Sequence, residues 1–367
     1  MVKSKKRKGK KKANKKIMLA AFCIVLALLI GIASLITSVF TAPVMKDDYE
    51  LYIAGKNFKS VTDSLEASGK VKMWQFKLLS RIFKYDNNSV KCGYYFLSSN
   101  STGTSIVRKL RAGAQDEKKL TFNRLVSIED AANKLSRDLE IDSIDMIKLL
   151  SDNEFLSNYS LDDGDVTTQN VLACFIPNTY NVFWDVTAEE LFHRLYFEQE
   201  KFWNEERLAK AKAINMNRTE VMTLASIVEL ETDRNSEKKL IASVYLNRLR
   251  KGILLQADPT VKFAIGDRKI KRILYSHLKY ESPYNTYINK GLPPGPICTP
   301  TLSSINAVLE NYKTPYYYFC ASPDFSGAHV FAKTGAEHAV NAAAYHAALD
   351  ARREQREQEV TQESNQE

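Results

Sequence analysis

Apolar and polar positions change their spacing several times along the chain, and each change predicts a different kind of element. From Ile17 to Met45 no residue is charged, and a strongly apolar run fills Ile17 to about Phe40. About twenty-four helical residues cover roughly 36 Å, enough to cross the hydrocarbon core of a bilayer with some tilt. Beyond it YELYIA (49–54) alternates as a strand does, Phe58, Val61 and Leu65 recur at helical spacing, and Gly69 suits a left-handed cap. Met73 to Phe83 is a second helical run, CGYYFLSS (92–99) a second strand, and Ser101-Thr-Gly-Thr opens a third helix through Val107, Leu110 and Gly113. A strand at Leu120–Val126 precedes mostly helical sequence to residue 215, with Ser127 as the N-cap of an Ile128, Ala131, Leu135 stripe. FIPNTYNVFW (175–184) breaks this texture with Pro and aromatics and reads as a packed connecting loop.

Asn217-Arg-Thr-Glu220 is an N-cap with its capping-box acid, so Thr219–Thr232 is predicted as a helix. On a wheel with Val221 at 0°, the apolar arc runs from about 240° through zero to about 100°, Glu229 falls at about 80° and Glu231 at about 280°. Both carboxylates therefore lie on the covered face, where an acid must be paired, hydrogen-bonded or protonated. They diverge by about 160° and cannot both flank one scissile bond, so at most one does chemistry. A purely structural reading ties both to Arg234, Arg248 or Arg250. A second helix, Glu237–Lys251, is capped by Ser236, turns Ile241, Val244 and Tyr245 inward, carries Asn247-Arg248-Leu249 in its last turns and ends at Gly252. Asp258 and Pro259 read as N-cap and first turn of a third.

Residues 283–300 hold five prolines and two glycines, which makes a stiff extended loop suited to walling a groove. Tyr284 and Tyr287 offer flat faces for pyranose rings, or core, and Asn285 and Thr286 offer groups for sugar hydroxyls. TPYYYFCAS (314–322) and GAHVFAK (327–333) predict paired strands with His329 opposite in facing to Val330, and a helix at 335–349 carries His338 and His346.

Charge and composition narrow the functions. The 367 residues are 44% hydrophobic and 26% charged, enough for roughly two folded units, and the formal charge is +9. Residues 1–16 hold ten of the 52 basic residues and none of the 43 acidic ones, so the rest of the chain is within one charge of neutral. Nucleic-acid binding by the body of the chain is excluded on that ground. The basic arm keeps the N-terminus in the cytoplasm and sends the chain after about Thr41 across the membrane. The apolar run exceeds a cleaved signal's core, and Cys23 follows Phe22 rather than a small residue, which argues against acylation. Cys92, Cys174, Cys298 and Cys320 fit no zinc or redox spacing, so no functional cysteine is expected. No G-x-S-x-G, P-loop or H-E-x-x-H is present, and five scattered histidines define no metal site, so no cofactor and no metal is expected.

The strand–helix–helix–strand order of 46–115 resembles a LysM-like carbohydrate-binding module. LASIVELET (224–232), SVYLNRLRKGILLQADPTV (243–261), YNTYINKGLPPGPICTP (284–300) and AHVFAK (328–333) closely resemble the endolytic murein transglycosylase family, the MltG or YceG-like proteins, over roughly residues 220–335. The resemblance implies an α+β fold with a single N-terminal transmembrane helix (17–41) after a cytoplasmic basic arm (1–16). A LysM-like module (46–115), a mostly helical connecting region (116–216), a mixed α+β catalytic domain (217–349) and a polar tail (350–367), read as a fraying helix and disordered end, follow. It implies a lytic enzyme of the cytoplasmic membrane that cuts nascent peptidoglycan between N-acetylmuramic acid and N-acetylglucosamine, leaving 1,6-anhydromuramyl ends, beside the cell-wall synthases. By the same resemblance the first Glu of S-I-V-E-x-E-T, Glu229, is the acid and then the base, its pKa raised by burial. Gln256, Asp258, Tyr284, Asn285, Thr286 and Tyr287 are then the substrate-binding groups, and Glu231, Asn247 and Arg248 support them. The family segment E-G-x-x-x-P-D-T-Y stands here as Leu172-Ala-Cys-Phe-Ile-Pro177-Asn178-Thr179-Tyr180, with Asn178 in place of Asp, and the Glu-Gly after Val126 is missing. Rival functions are a catalytically silent glycan-binding scaffold for cell-wall synthases and, more distantly, a metal-dependent wall amidase.

Overall fold

The structure is a computed structural model; it describes residues 2–162, 164–267, 270 and 272–364, with side chains from 15 to 358. The chain divides into two compact units, residues 1–118 with 182–185 and residues 119–181 with 186–367.

The first unit opens with helix α1 (Val2–Thr41), whose stretch Lys15–Thr41 is apolar and long enough to cross a membrane. Side chains of the basic arm up to residue 14 lie outside the described part. Strand β1 (Tyr49–Ile53), helices α2 (Phe58–Ala67) and α3 (Met73–Ile82), strand β2 (Gly93–Leu97) and helix α4 (Gly103–Ala112) follow in the predicted order. β1 and β2 pair antiparallel with Leu51 opposite Tyr95, and the alternation turns Leu51, Ile53, Tyr95 and Leu97 onto Val61, Leu65, Phe76, Leu79 and Leu110. Thr102 caps α4, and Gly113, at φ +71°, ends it in the left-handed conformation that glycine adopts at low cost.

Strand β3 (Glu117–Phe122) begins three residues before the predicted strand. Its expected second half, Asn123–Val126, is instead tied to the proline-rich loop: Leu125 N–H donates to Thr299 Oγ1 at 2.9 Å and Thr299 N–H to Leu125 O at 2.8 Å. Helices α5 (Ile128–Ser136), α6 (Ser143–Leu150) and α7 (Asn153–Leu156) and the short strands β4 (Ser160–Leu161) and β5 (Gly164–Asp165) come next. Strand β6 (Asn178–Phe183), paired with β3, then replaces the connecting loop expected at 175–184. Period-two burial of Tyr180 and Val182, with Tyr180 stacked on Phe122 at 5.6 Å, outweighs the turn-forming Pro177 and Asn178 before it.

Helices α8 (Ala188–Phe202) and α9 (Glu205–Ala213) lead to α10 (Arg218–Glu231), which carries the expected capping box between Asn217 and Glu220. Apolar residues surround α10, so it is buried on nearly all sides, packed by α11 (Asn235–Lys251), α12 (Asp258–Ile265) and α13 (Leu302–Leu309). Two expected caps are absent. Arg234, not Ser236, occupies the N-cap of α11, and Ala257 that of α12, because the Asp258 carboxylate turns instead to the Tyr287 hydroxyl. Strands β7 (Tyr318–Ala321) and β8 (His329–Ala332) pair antiparallel and carry α14 (Gly335–Ser364). That helix runs fifteen residues past the predicted end, through most of the stretch expected to be a fraying helix and disordered end; residues 365–367 lie outside the described part. Its exposed turns alternate acids and bases, as at Asp350 and Arg353, 3.8 Å apart, which supports a solvated helix.

Candidate active site

Two residues apart at the end of α10, Glu229 and Glu231 point into different surroundings. Glu229 is 3% exposed. Its Oε2 accepts hydrogen bonds from Lys238 Nζ at 2.9 Å, Ser304 Oγ at 2.6 Å, and both the hydroxyl and the backbone N–H of Thr301, while Oε1 meets Arg124 Nη2 at 3.1 Å. Burial pushes its pKa up, but the hydroxyls of Ser304 and Thr301 and the ammonium of Lys238 outweigh that and hold it at about 2. Glu229 is therefore an ionised carboxylate saturated with donors. This overturns the expectation that burial keeps it protonated near neutral pH.

Glu231 has the properties expected of its neighbour. It borders a cavity of about 430 Å³ together with Tyr245, Arg248, Gln256, Asp258, Tyr287 and His329. Burial against this wall raises its pKa to about 7; the Tyr245 hydroxyl, donating at 2.5 Å, opposes that shift and the negative charge of Asp258 reinforces it. A carboxyl half-protonated near neutral pH, at the edge of an open cavity, is equipped to give a proton and take one back. His329 on β8 is held across the same space by Glu237, whose carboxylate takes both the ring Nδ1 at 2.8 Å and the backbone N–H at 3.0 Å.

The other expected site residues separate in the same way. Gln256, Asp258 and Tyr287 line the cavity with Glu231; Gln256 sits at φ +53°, a backbone region costly for a side chain with a Cβ, and Tyr287 donates to Asp258 Oδ1 at 2.6 Å. Arg248 also lines it while fixing its floor, donating to the carbonyls of Tyr317, Leu254 and Leu255. The remainder turn inward. Asn285 is fully buried and gives its amide to the carbonyls of Leu278 and Tyr280 while its Oδ1 takes Tyr287 N–H. Thr286 is buried against Thr260 and accepts from Ala257 N–H. Tyr284 donates to Gln169 O and packs on Phe263, away from the cavity, and Asn247 gives its amide to the carbonyls of Thr314 and Tyr316. These polar groups serve the backbone of neighbouring segments, whose buried carbonyls and N–H groups need partners.

The sequence reading missed Arg124, Lys238, Thr301 and Ser304. Lys238 carries a legible signal: it lies three residues before Ile241 on the buried stripe of α11, where a cation needs an anion. Among the described residues no group of three or more His, Cys, Asp or Glu is placed to hold a metal ion, and Cys23, Cys92, Cys174, Cys298 and Cys320 are all free thiols.

Residues 53–344 match the model of the YceG-like family. The endolytic murein transglycosylase of Bacillus subtilis is 30% identical over 326 residues, covering 85% of this chain and 89% of that protein. The Streptococcus pneumoniae protein of the same name, from strain D39, is 27% identical over 293 residues; the chain spans about half its length, 53%, with 73% of this chain covered. A crystal structure of a putative YceG-like protein from Listeria monocytogenes superposes with a TM-score of 0.51 at 29% identity, covering 80% of this chain and 98% of that one. The chain belongs to the YceG-like family. It is a mixed α+β protein with one N-terminal apolar helix compatible with a single-pass membrane anchor.

Proposed function

We propose that this protein is an endolytic murein transglycosylase that cuts inside peptidoglycan glycan strands, and that Glu231, not Glu229, is its acid and base. The observation that carries the assignment is the contrast in protonation: Glu229 is locked ionised behind five donated hydrogen bonds, whereas Glu231 faces the cavity with a pKa near 7. Protonated Glu231 donates to the glycosidic oxygen linking N-acetylmuramic acid to N-acetylglucosamine as the C1–O bond breaks. The resulting carboxylate takes the proton of the muramyl 6-hydroxyl as that oxygen closes on C1. Atoms balance without water, and the new end is a 1,6-anhydro ring. In this reading Tyr245 orients the carboxyl, and Gln256, Asp258, Tyr287 and the second ring nitrogen of His329, which line the same cavity, hold sugar hydroxyls.

The ten basic residues ahead of the apolar run support an orientation with the N-terminus in the cytoplasm and the chain after about Thr41 outside it, at the cytoplasmic membrane. Anchorage there suits work on nascent strands beside the synthases that extend them, and the strand–helix–helix–strand order of 46–115 supports a LysM-like glycan contact. The test is mass spectrometry of wall fragments released by the full chain. Fragments lighter by one water than hydrolysed ends are expected from the wild type and none from Glu231→Gln. Ordinary reducing ends would show that water is the nucleophile, and undiminished cutting by Glu231→Gln would remove Glu231 from the mechanism.

A further inference from the structure

One helix face in the first unit is not used by that unit's own core. On α3, Gln75, Phe76, Leu79 and Ser80 turn inward, while Trp74 is 64% exposed, Leu78 41% and Ile82 48%. Four residues apart, these three drift only about 40° per step and form one outward stripe. Exposed Lys77 and Arg81 fall beside it, at about 300° and 340° with Trp74 at zero. An aromatic and two aliphatics in solvent, flanked by two cations, make the face of a helix that lies in the headgroup–acyl boundary of a bilayer.

Helix α1 puts a bilayer within reach. Near the start of α3, Gln75 Nε2 donates to Val39 O at 2.8 Å and to Ala42 O at 3.4 Å; just past its end, the Phe83 ring meets the Phe40 ring edge-on at 6.4 Å. Gln75 and Phe83 are separated by about 12 Å of rise along α3, whereas Val39 to Ala42 span under about 5 Å of α1. A helix whose two ends both reach so short a piece of another crosses that helix instead of running beside it. Thr104 on α4 pins the same turn by donating to Phe40 O at 2.8 Å. Helix α3 therefore lies across the end of α1, at the level where the apolar run stops.

We propose that the Trp74–Leu78–Ile82 face of α3 beds into the interfacial layer of the bilayer that α1 crosses, with Lys77 and Arg81 on anionic headgroups, so that the module is held flat on the membrane. The proposal rests on the reading of α1 as membrane-spanning. Lipid fits this face better than glycan does: two aliphatics and two cations suit an anionic surface, whereas uncharged sugars call for aromatic platforms with amide and hydroxyl partners, and the stripe has one aromatic.

The test reconstitutes the full chain into vesicles of equal parts phosphatidylglycerol and phosphatidylcholine, plain or brominated close beneath the headgroup, and follows tryptophan emission. Brominated lipid should quench a component in the wild type that is missing in Trp74→Phe, with Trp184 and Trp203 as the background common to both. Lys77→Glu with Arg81→Glu should shrink that component without touching the buried side of α3. Equal quenching of wild type and Trp74→Phe would overturn the proposal, as would a Trp74 component blind to brominated lipid but shifted by soluble glycan strands. Flotation after alkaline extraction tests α1 separately: a chain stripped from the vesicles would take away the anchor and this proposal together, whereas retained chain without Trp74 quenching sinks the proposal alone.

Discussion

Replacing Glu229 by Gln separates the two glutamates most sharply. The change is isosteric, and if Glu229 were the protonated acid it would abolish cutting while leaving stability intact. The structure predicts the reverse emphasis. The Glu229 carboxyl is held at about 2 against an ordinary 4.5, and two and a half units at 1.36 kcal/mol each correspond to about 3 kcal/mol of folding free energy. A depressed folded-state pKa contributes stability that is present above pH 4.5 and fades as pH falls toward 2. The substitution also leaves Lys238, 4% exposed, without its counter-charge, and breaking a buried pair from one side costs about 3–5 kcal/mol. Chemical unfolding of the full chain in detergent micelles should therefore show a deficit of about 3–5 kcal/mol at pH 7, smaller at pH 3, where the wild type is losing the same contribution. Some cutting should survive at a temperature where the variant is folded. A variant within about 0.5 kcal/mol of wild type at pH 7 that cuts nothing would refute the assignment and return Glu229 to the role of acid.

The complementary change, Glu231→Gln, should abolish cutting; because a raised carboxyl pKa weakens the fold as pH climbs from 4.5 through about 7, it should also stabilise the protein by up to about 3 kcal/mol at pH 8, read from the same unfolding curves. Wild-type cleavage rates should fall above pH 7 as the Glu231 proton is lost, and a rate flat to pH 9 would exclude this acid. Asn285→Ala should cost about 2–4 kcal/mol in thermal unfolding, since it strips donors from two carbonyls, and a well-folded variant with weakened glycan cutting would restore Asn285 to the substrate side. Gly295→Ala would set a Cβ 2.1 Å from Gln169 O, so a loss of about 1–3 kcal/mol or more is expected, and an unchanged melting temperature would mean that this loop is free to shift.

Local signals were legible where neighbours in sequence decide the outcome. The capping box at Asn217 and Glu220, the apolar run ahead of Thr41, the left-handed Gly69, the helix end at Gly252, and the paired strands around His329 all depend on residues within a few positions. The divergence of Glu229 and Glu231 also follows from helical pitch alone. Which carboxyl is locked and which faces the cavity does not, because a wheel shows that a face is covered and not what covers it. Asn285 and Thr286 misled for a related reason: an amide and a hydroxyl look the same in sequence whether they serve a sugar or a neighbouring carbonyl. Strand β6 was hidden by Pro177 and Asn178, whose turn preference is local, while its pairing with β3 is not.

The cage around Glu229 also carries a temporal consequence. Its donors come from Arg124, 105 residues upstream, and from Thr301 and Ser304, 72 and 75 residues downstream, with only Lys238 close by at nine. Contacts of such separation are closed late, after the loop entropy of the intervening chain has been overcome. A chain still being made, with residues beyond 300 not yet free, holds a buried acid without the Thr301 and Ser304 that complete its cage, so the end of α10 that aims Glu231 is not yet fixed. The cutting edge therefore sharpens only when almost the whole catalytic region has emerged, and a protein that severs wall polymer is blunt for as long as it is unfinished.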